Sequence, residues 1–145
     1  MLRRTTAAAL AAASAAAVSL MASPATAAVP IAVGSFTLFF PYSSVTCDST
    51  LEGAWSGTAF TATGATATGC GVTVTPQGLP WSGDFGMPAW MSFSVKTAGC
   101  IYSATLANGV VVPPYIVFPA QPVTATNFPC FTGVTVSARY RPLWM

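Results

Sequence analysis

Three carboxylates, four cysteines and a complete lack of histidine set the chemical limits of this 145-residue chain. Histidine is the commonest general base and the only side chain that ordinarily titrates between pH 5 and 8, so its absence excludes Ser-His-Asp and Cys-His catalysis. A pair of carboxylates, as in glycoside hydrolysis, is the main enzymatic route left. Asp48 and Glu52 are four residues apart, a spacing that puts both on one face of an extended strand. They define the enzymatic alternative, a carboxylate-dependent glycan hydrolase. The competing reading is that Asp48-Ser49-Thr50 is a solvated turn, and that Asp84, between Gly83 and Phe85, is a turn former too. So few acid groups favour the non-enzymatic reading. The sequence holds no glycine-rich phosphate loop, dinucleotide fingerprint or metal-ligand spacing, so no cofactor and no metal site are expected.

Where the chain acts is written at its start. Met1-Leu2-Arg3-Arg4 leads into the apolar run Ala7 to Met21 and then into small residues ending in Ala25-Thr26-Ala27. That order is a helical secretory signal peptide over residues 1–27, with an exported domain at 28–145. Fifteen mostly alanine residues are too few for a membrane span, which needs about 20, and no later apolar run escapes interruption by Pro, Gly, Ser or Thr. The chain is thus expected outside the cell or associated with the envelope. Loss of Arg3 and Arg4 leaves Lys96, Arg139 and Arg141 against Asp48, Glu52 and Asp84, a formally neutral domain. Nothing in it neutralises a row of phosphates, so nucleic acid is excluded as a partner. A surface this poor in charge also favours self-association.

Export moves Cys47, Cys70, Cys100 and Cys130 into an oxidising compartment, where they read as disulfides. Three pairings are possible. The expectation is Cys47 with Cys70 and Cys100 with Cys130, because sequential pairs tie neighbouring strands of a meander without crossing the chain. Each would be worth about 3.5 kcal/mol on the chain-entropy account. Zinc is disfavoured by the wide spacings.

The elements that must hold these groups are strands. Past the leader the composition turns to Thr, Val, Gly, Pro and aromatics. Within Phe131 to Arg141, Val134, Val136, Ala138 and Tyr140 alternate with polar residues; Met91, Phe93 and Val95 alternate with Ser92, Ser94 and Lys96. Further strands are predicted at Gly34 to Phe40, Thr58 to Thr63, Gly71 to Thr75, Cys100 to Ala107 and Val110 to Val112. Turns are predicted at Thr63-Gly64, Gln77-Gly78, Ser82-Gly83 and, most strongly, Asn108-Gly109, a type I′ hairpin pair. Trp81 to Trp90 reads as an irregular connection. The fold class is all-β, an antiparallel sandwich or barrel of about seven to nine short strands. Pro113, Pro114, Pro119 and Pro122 remove ladder donors, so Val112 to Gln121 is expected at an edge or as a loop displaying Tyr115, Ile116, Val117 and Phe118 as a binding surface. Trp55, Trp81, Trp90 and Trp144 could stack on sugars, but buried core is the favoured reading, with Trp144 the most exposed.

The segments Cys70 to Trp81, with its Leu79-Pro80-Trp81, and Ala98 to Leu106 resemble small secreted four-cysteine β-rich proteins of actinobacteria. The resemblance implies export and a β-rich fold and transfers no functional residue. Taken together, these features predict an exported non-enzymatic domain that binds a protein or an envelope component or plays a structural part. An inhibitor-like or surface-adhesion module is the narrower form.

Overall fold

The computed structural model describes residues 29–126 and 129–144; the leader at 1–27 lies outside them. The described chain is all-β, with ten strands: β1 (Pro30–Phe39), β2 (Ser44–Ser56), β3 (Ala59–Ala65), β4 (Thr75–Pro76), β5 (Trp81–Asp84), β6 (Ala89–Thr97), β7 (Cys100–Val112), β8 (Tyr115–Pro122), β9 (Thr124–Thr126) and β10 (Thr135–Pro142). Eight of them close into an antiparallel barrel in the cyclic order β1-β2-β3-β5-β6-β7-β8-β10. The short β4 and β9 extend the ladder beside β6 and β7. Apart from those two insertions each strand pairs with the next in sequence, the arrangement of an up-and-down barrel.

The alternation that predicts strands also decides which face goes inside. In β6, Ala89, Met91, Phe93, Val95 and Thr97 are buried, while Trp90, Ser92, Ser94 and Lys96 point outward. In β10, Val136, Ala138 and Tyr140 are buried between outward Ser137, Arg139 and Arg141. An eight-stranded barrel is just wide enough for side chains to fill it, and this one is filled: the Phe36 ring meets Phe93 edge-on at 4.9 Å and Trp81 lies 5.5 Å from Phe93.

Closure of the ring rests on β1, which pairs with β2 on one side and β10 on the other. Gly34 stands opposite both Ser49 and Tyr140. A β-carbon at Gly34 would run into the backbone carbonyl of Arg139. The Tyr140 hydroxyl donates to Ser49 Oγ at 2.9 Å, a buried bond joining β10 to β2 across the glycine. Burial pushes the Tyr140 phenol up to about 12, opposed by its bond to Ser49.

Two expectations are corrected here. Asn108-Gly109 is not a hairpin turn. Asn108 does take a positive φ of 59°, but inside β7, where the register passes from Ala89↔Gly109 to Met91↔Leu106 and two β7 residues oppose one of β6. That is a β-bulge, and it makes the same backbone demand as the turn. The type I′ geometry lies ten residues earlier, at Ala98-Gly99 between β6 and β7, with φ of 51° and 80°. The β7–β8 turn is Pro113-Pro114, joined by a cis bond.

The second correction concerns Tyr115, Ile116, Val117 and Phe118. They form no projecting loop; they belong to β8, paired with β10 on one side and β7 on the other. Ile116 and Phe118 are 0% and 1% exposed, deep in the core. The prolines are tolerated because Pro119 lies where the β8–β10 register shifts, and because the Gln121 side chain replaces the missing ladder bonds. Its Oε1 accepts from Ala107 N and its Nε2 donates to Ala107 O, each at 2.8 Å. Smaller departures follow the same logic: Thr63-Gly64 and Ser82-Gly83 lie within β3 and β5, Trp81–Asp84 is a strand, and of the 71–75 segment only Thr75 belongs to a strand, β4.

The neutral Tyr140 phenol is the form that the folded chain favours, so between pH 10 and 12 the native state holds a proton that the unfolded chain has lost. Stability is expected to fall over that window by roughly 2–3 kcal/mol, as read by urea denaturation at stepped pH, with Tyr140→Phe flattening the slope. Gly34→Ala is expected to cost about 3 kcal/mol, seen as a lower urea midpoint at neutral pH.

Candidate functional site

The two ends of the barrel differ. At the end where β1 begins, aromatic rings plug the opening: Trp55 meets Phe60, Phe85 and Trp144 edge-on at 5.4, 5.7 and 5.4 Å. At the other end the opening is a concave mouth of about 430 Å³, lined by Phe40, Val45, Val72, Tyr102, Phe131 and the Thr97–Ala98 turn, with Ser43 and Thr73 at its edge.

Each wall of the mouth traces to a covalent or hydrogen-bonded anchor. Disulfides join Cys47 to Cys70 and Cys100 to Cys130, the pairing expected from the sequence. Cys47 is an inward residue of β2, and its bridge holds the 66–70 segment along that strand, where Asp48 and Thr68 exchange backbone bonds of 2.8 and 2.9 Å. Val72, two residues beyond Cys70, is thereby set on the rim, 54% exposed. Thr97 Oγ1 donates to Thr73 O at 2.8 Å and fixes the next residue. The second bridge does the same for Phe131, which follows Cys130 directly and is 51% exposed. Phe131 meets Phe40 edge-on at 5.7 Å, and Phe40 meets Tyr102 at 5.5 Å. Phe40 is held in turn by a bond from its N–H to Ser43 O at 2.8 Å. The lining contains no charged side chain.

Asp48 and Glu52 lie in β2 and not in a turn, and their outward positions put them on one face, as extended spacing requires. Four strand residues separate their backbones by about 13 Å, beyond the roughly 5–9.5 Å between the carboxyl groups of glycosidase pairs. Each carboxylate also lies against a different segment, Asp48 Oδ2 by Gly69 and Glu52 Oε1 by Gly64 of β3. Asp84 holds a turn together. Its Oδ1 accepts from Thr58 Oγ1 at 2.7 Å and from Gly86 N at 2.8 Å, and those two bonds draw its carboxyl below the ordinary value.

Of the four tryptophans, Trp81 is core, its indole N–H donating to Gln77 O at 2.7 Å. Trp55 is half-buried in the aromatic plug, and Trp90 on β6 and Trp144 just beyond β10 are the exposed ones. Tyr115, expected as part of a binding loop, is half-buried on the outer wall, with the Arg139 guanidinium 4.4 Å from its ring centre. Phe40, Val72, Tyr102 and Phe131 were not singled out by the sequence. The one available signal was that Val72, Tyr102 and Phe131 each stand within two residues of a cysteine.

No family model, curated protein or solved structure matches the chain.

Removing the bridge beside Phe131 with Cys100→Ser and Cys130→Ser is expected to lower stability by about 3.5 kcal/mol. The check is denaturant unfolding of the double variant against the oxidised parent.

Proposed function

We propose that this chain is an exported, disulfide-stapled binding module that takes a small neutral apolar ligand into the mouth of its barrel. The observation that carries this reading is the uncharged aromatic opening of about 430 Å³, framed by two disulfides at one end of a barrel whose interior and other end are filled. Ligand sites in small barrels favour such mouths, and the volume falls within the usual range of small-molecule pockets, about 300–1,000 Å³. Covalent anchoring of both exposed walls reduces the ordering that binding would otherwise require. Two disulfides suit an oxidising setting, in keeping with the leader read at residues 1–27.

A non-catalytic role is supported by the same chemistry. No histidine exists in the chain, and its three carboxylates are Asp48 and Glu52, spread along an outer face, and Asp84, committed to a turn.

The test is ligand-detected NMR of the oxidised domain with a panel of neutral aromatic and alicyclic compounds. Saturable binding at one site is expected, weakened about tenfold or more by Phe131→Ser together with Val72→Ser while the melting temperature stays within a few degrees, since both side chains are half-exposed. Binding that ignores both substitutions would place the ligand elsewhere and end this reading.

A further inference from the structure

Tyr102 carries the one feature of the mouth that its apolar lining does not explain. It is 2% exposed and lines the cavity, with its ring edge-on to Phe40. Among the described residues its hydroxyl makes no hydrogen bond. Tyr140 differs, its buried phenol being satisfied by Ser49. A phenylalanine would fill the same space without the cost, about 1–3 kcal/mol, of taking an unpaired hydroxyl out of water. Buried polar groups of this kind call for a partner outside the chain.

We infer that Tyr102 is the polar anchor of the mouth, and that its ligand is a flat, neutral, apolar molecule bearing a carbonyl oxygen that accepts the Tyr102 O–H bond. The inference rests on the mouth being a ligand site. The ligand class follows from three properties of the lining. With no charged side chain there, a charged ligand would be left unpaired in an apolar site. Phe40, Tyr102 and Phe131 present ring edges and faces that suit a planar group. A phenol is a better donor than acceptor, because its oxygen lone pair is delocalised into the ring, so an acceptor on the ligand meets it best. Thr97, the other buried hydroxyl of the lining, is already committed to Thr73 O.

Acetophenone and ethylbenzene, near-isosteres that differ in the carbonyl, test this with the full oxidised domain. Tyr102→Phe is expected to weaken acetophenone about five- to tenfold and to leave ethylbenzene within about twofold. The ligand-free variant should melt at the parent's temperature or above, since an unpaired hydroxyl has been removed. Equal effects on the two compounds, or no effect on acetophenone, would overturn the role of Tyr102 while leaving the mouth as a site. A lower melting temperature in Tyr102→Phe would show an internal partner for the hydroxyl and overturn it as well. If neither compound binds the parent, or if binding ignores Phe131→Ser together with Val72→Ser, the mouth itself is no ligand site and both readings fall.

Discussion

Closing a sheet into a ring requires its first and last strands to meet, and in this protein the β1–β10 ladder that joins them runs past one residue without a side chain. Gly34 lets β10 approach β1 so closely that its neighbour's carbonyl occupies the space of a β-carbon, and it leaves room inside for the Tyr140 ring to reach Ser49. The contact spans three strands, β2, β1 and β10, and ties the two ends of the meander with a single buried hydrogen bond. The other ladders of the ring join strands that are adjacent in sequence or separated only by the short β4 or β9. The β1–β10 ladder joins the two ends of the chain, and the Tyr140–Ser49 bond beside it joins residues 91 positions apart. Non-local pairing gains nothing until the intervening chain is in place, so the junction depends on the rest of the barrel and the barrel on the junction.

How much of this could be read from the chain follows from the range of the forces involved. Strands such as Ala89–Thr97 and Thr135–Pro142 were legible because a half-buried strand writes its two faces into alternate residues. The cysteine pairing was legible because sequential bridges suit a meander. Asn108-Gly109 was legible only as a backbone preference: positive φ serves a turn or a bulge alike, and the choice between them was made by Ala89 and Met91 across the ladder. The Pro-rich β8 was misread for a related reason, since the Gln121 amide that stands in for its absent ladder bonds lies within the same segment but acts on another strand. The mouth was invisible. Its four main walls come from Phe40, Val72, Tyr102 and Phe131, spread over the whole domain and assembled only when the ring closes and both bridges form.

The resulting molecule divides its apolar groups between two kinds of work. Rings within the barrel and at the Trp55–Trp144 end satisfy one another edge to face, which fixes the shape. At the opposite end Phe40 and Phe131 are left part-exposed, and there the covalent bridges take over the task that packing performs elsewhere. A charge-poor domain has few ion pairs with which to hold an exposed apolar rim in place. Sulfur bridges do so without adding charge to it.

The direction of β1 has a consequence for how the barrel would be presented. Pro30 opens that strand at the aromatic plug and Phe39 closes it beside the mouth. Any tether attached ahead of Pro30 therefore meets the sealed base, and a barrel held to a surface by that end would stand like a cup on its foot, its opening turned away from the support and toward the medium.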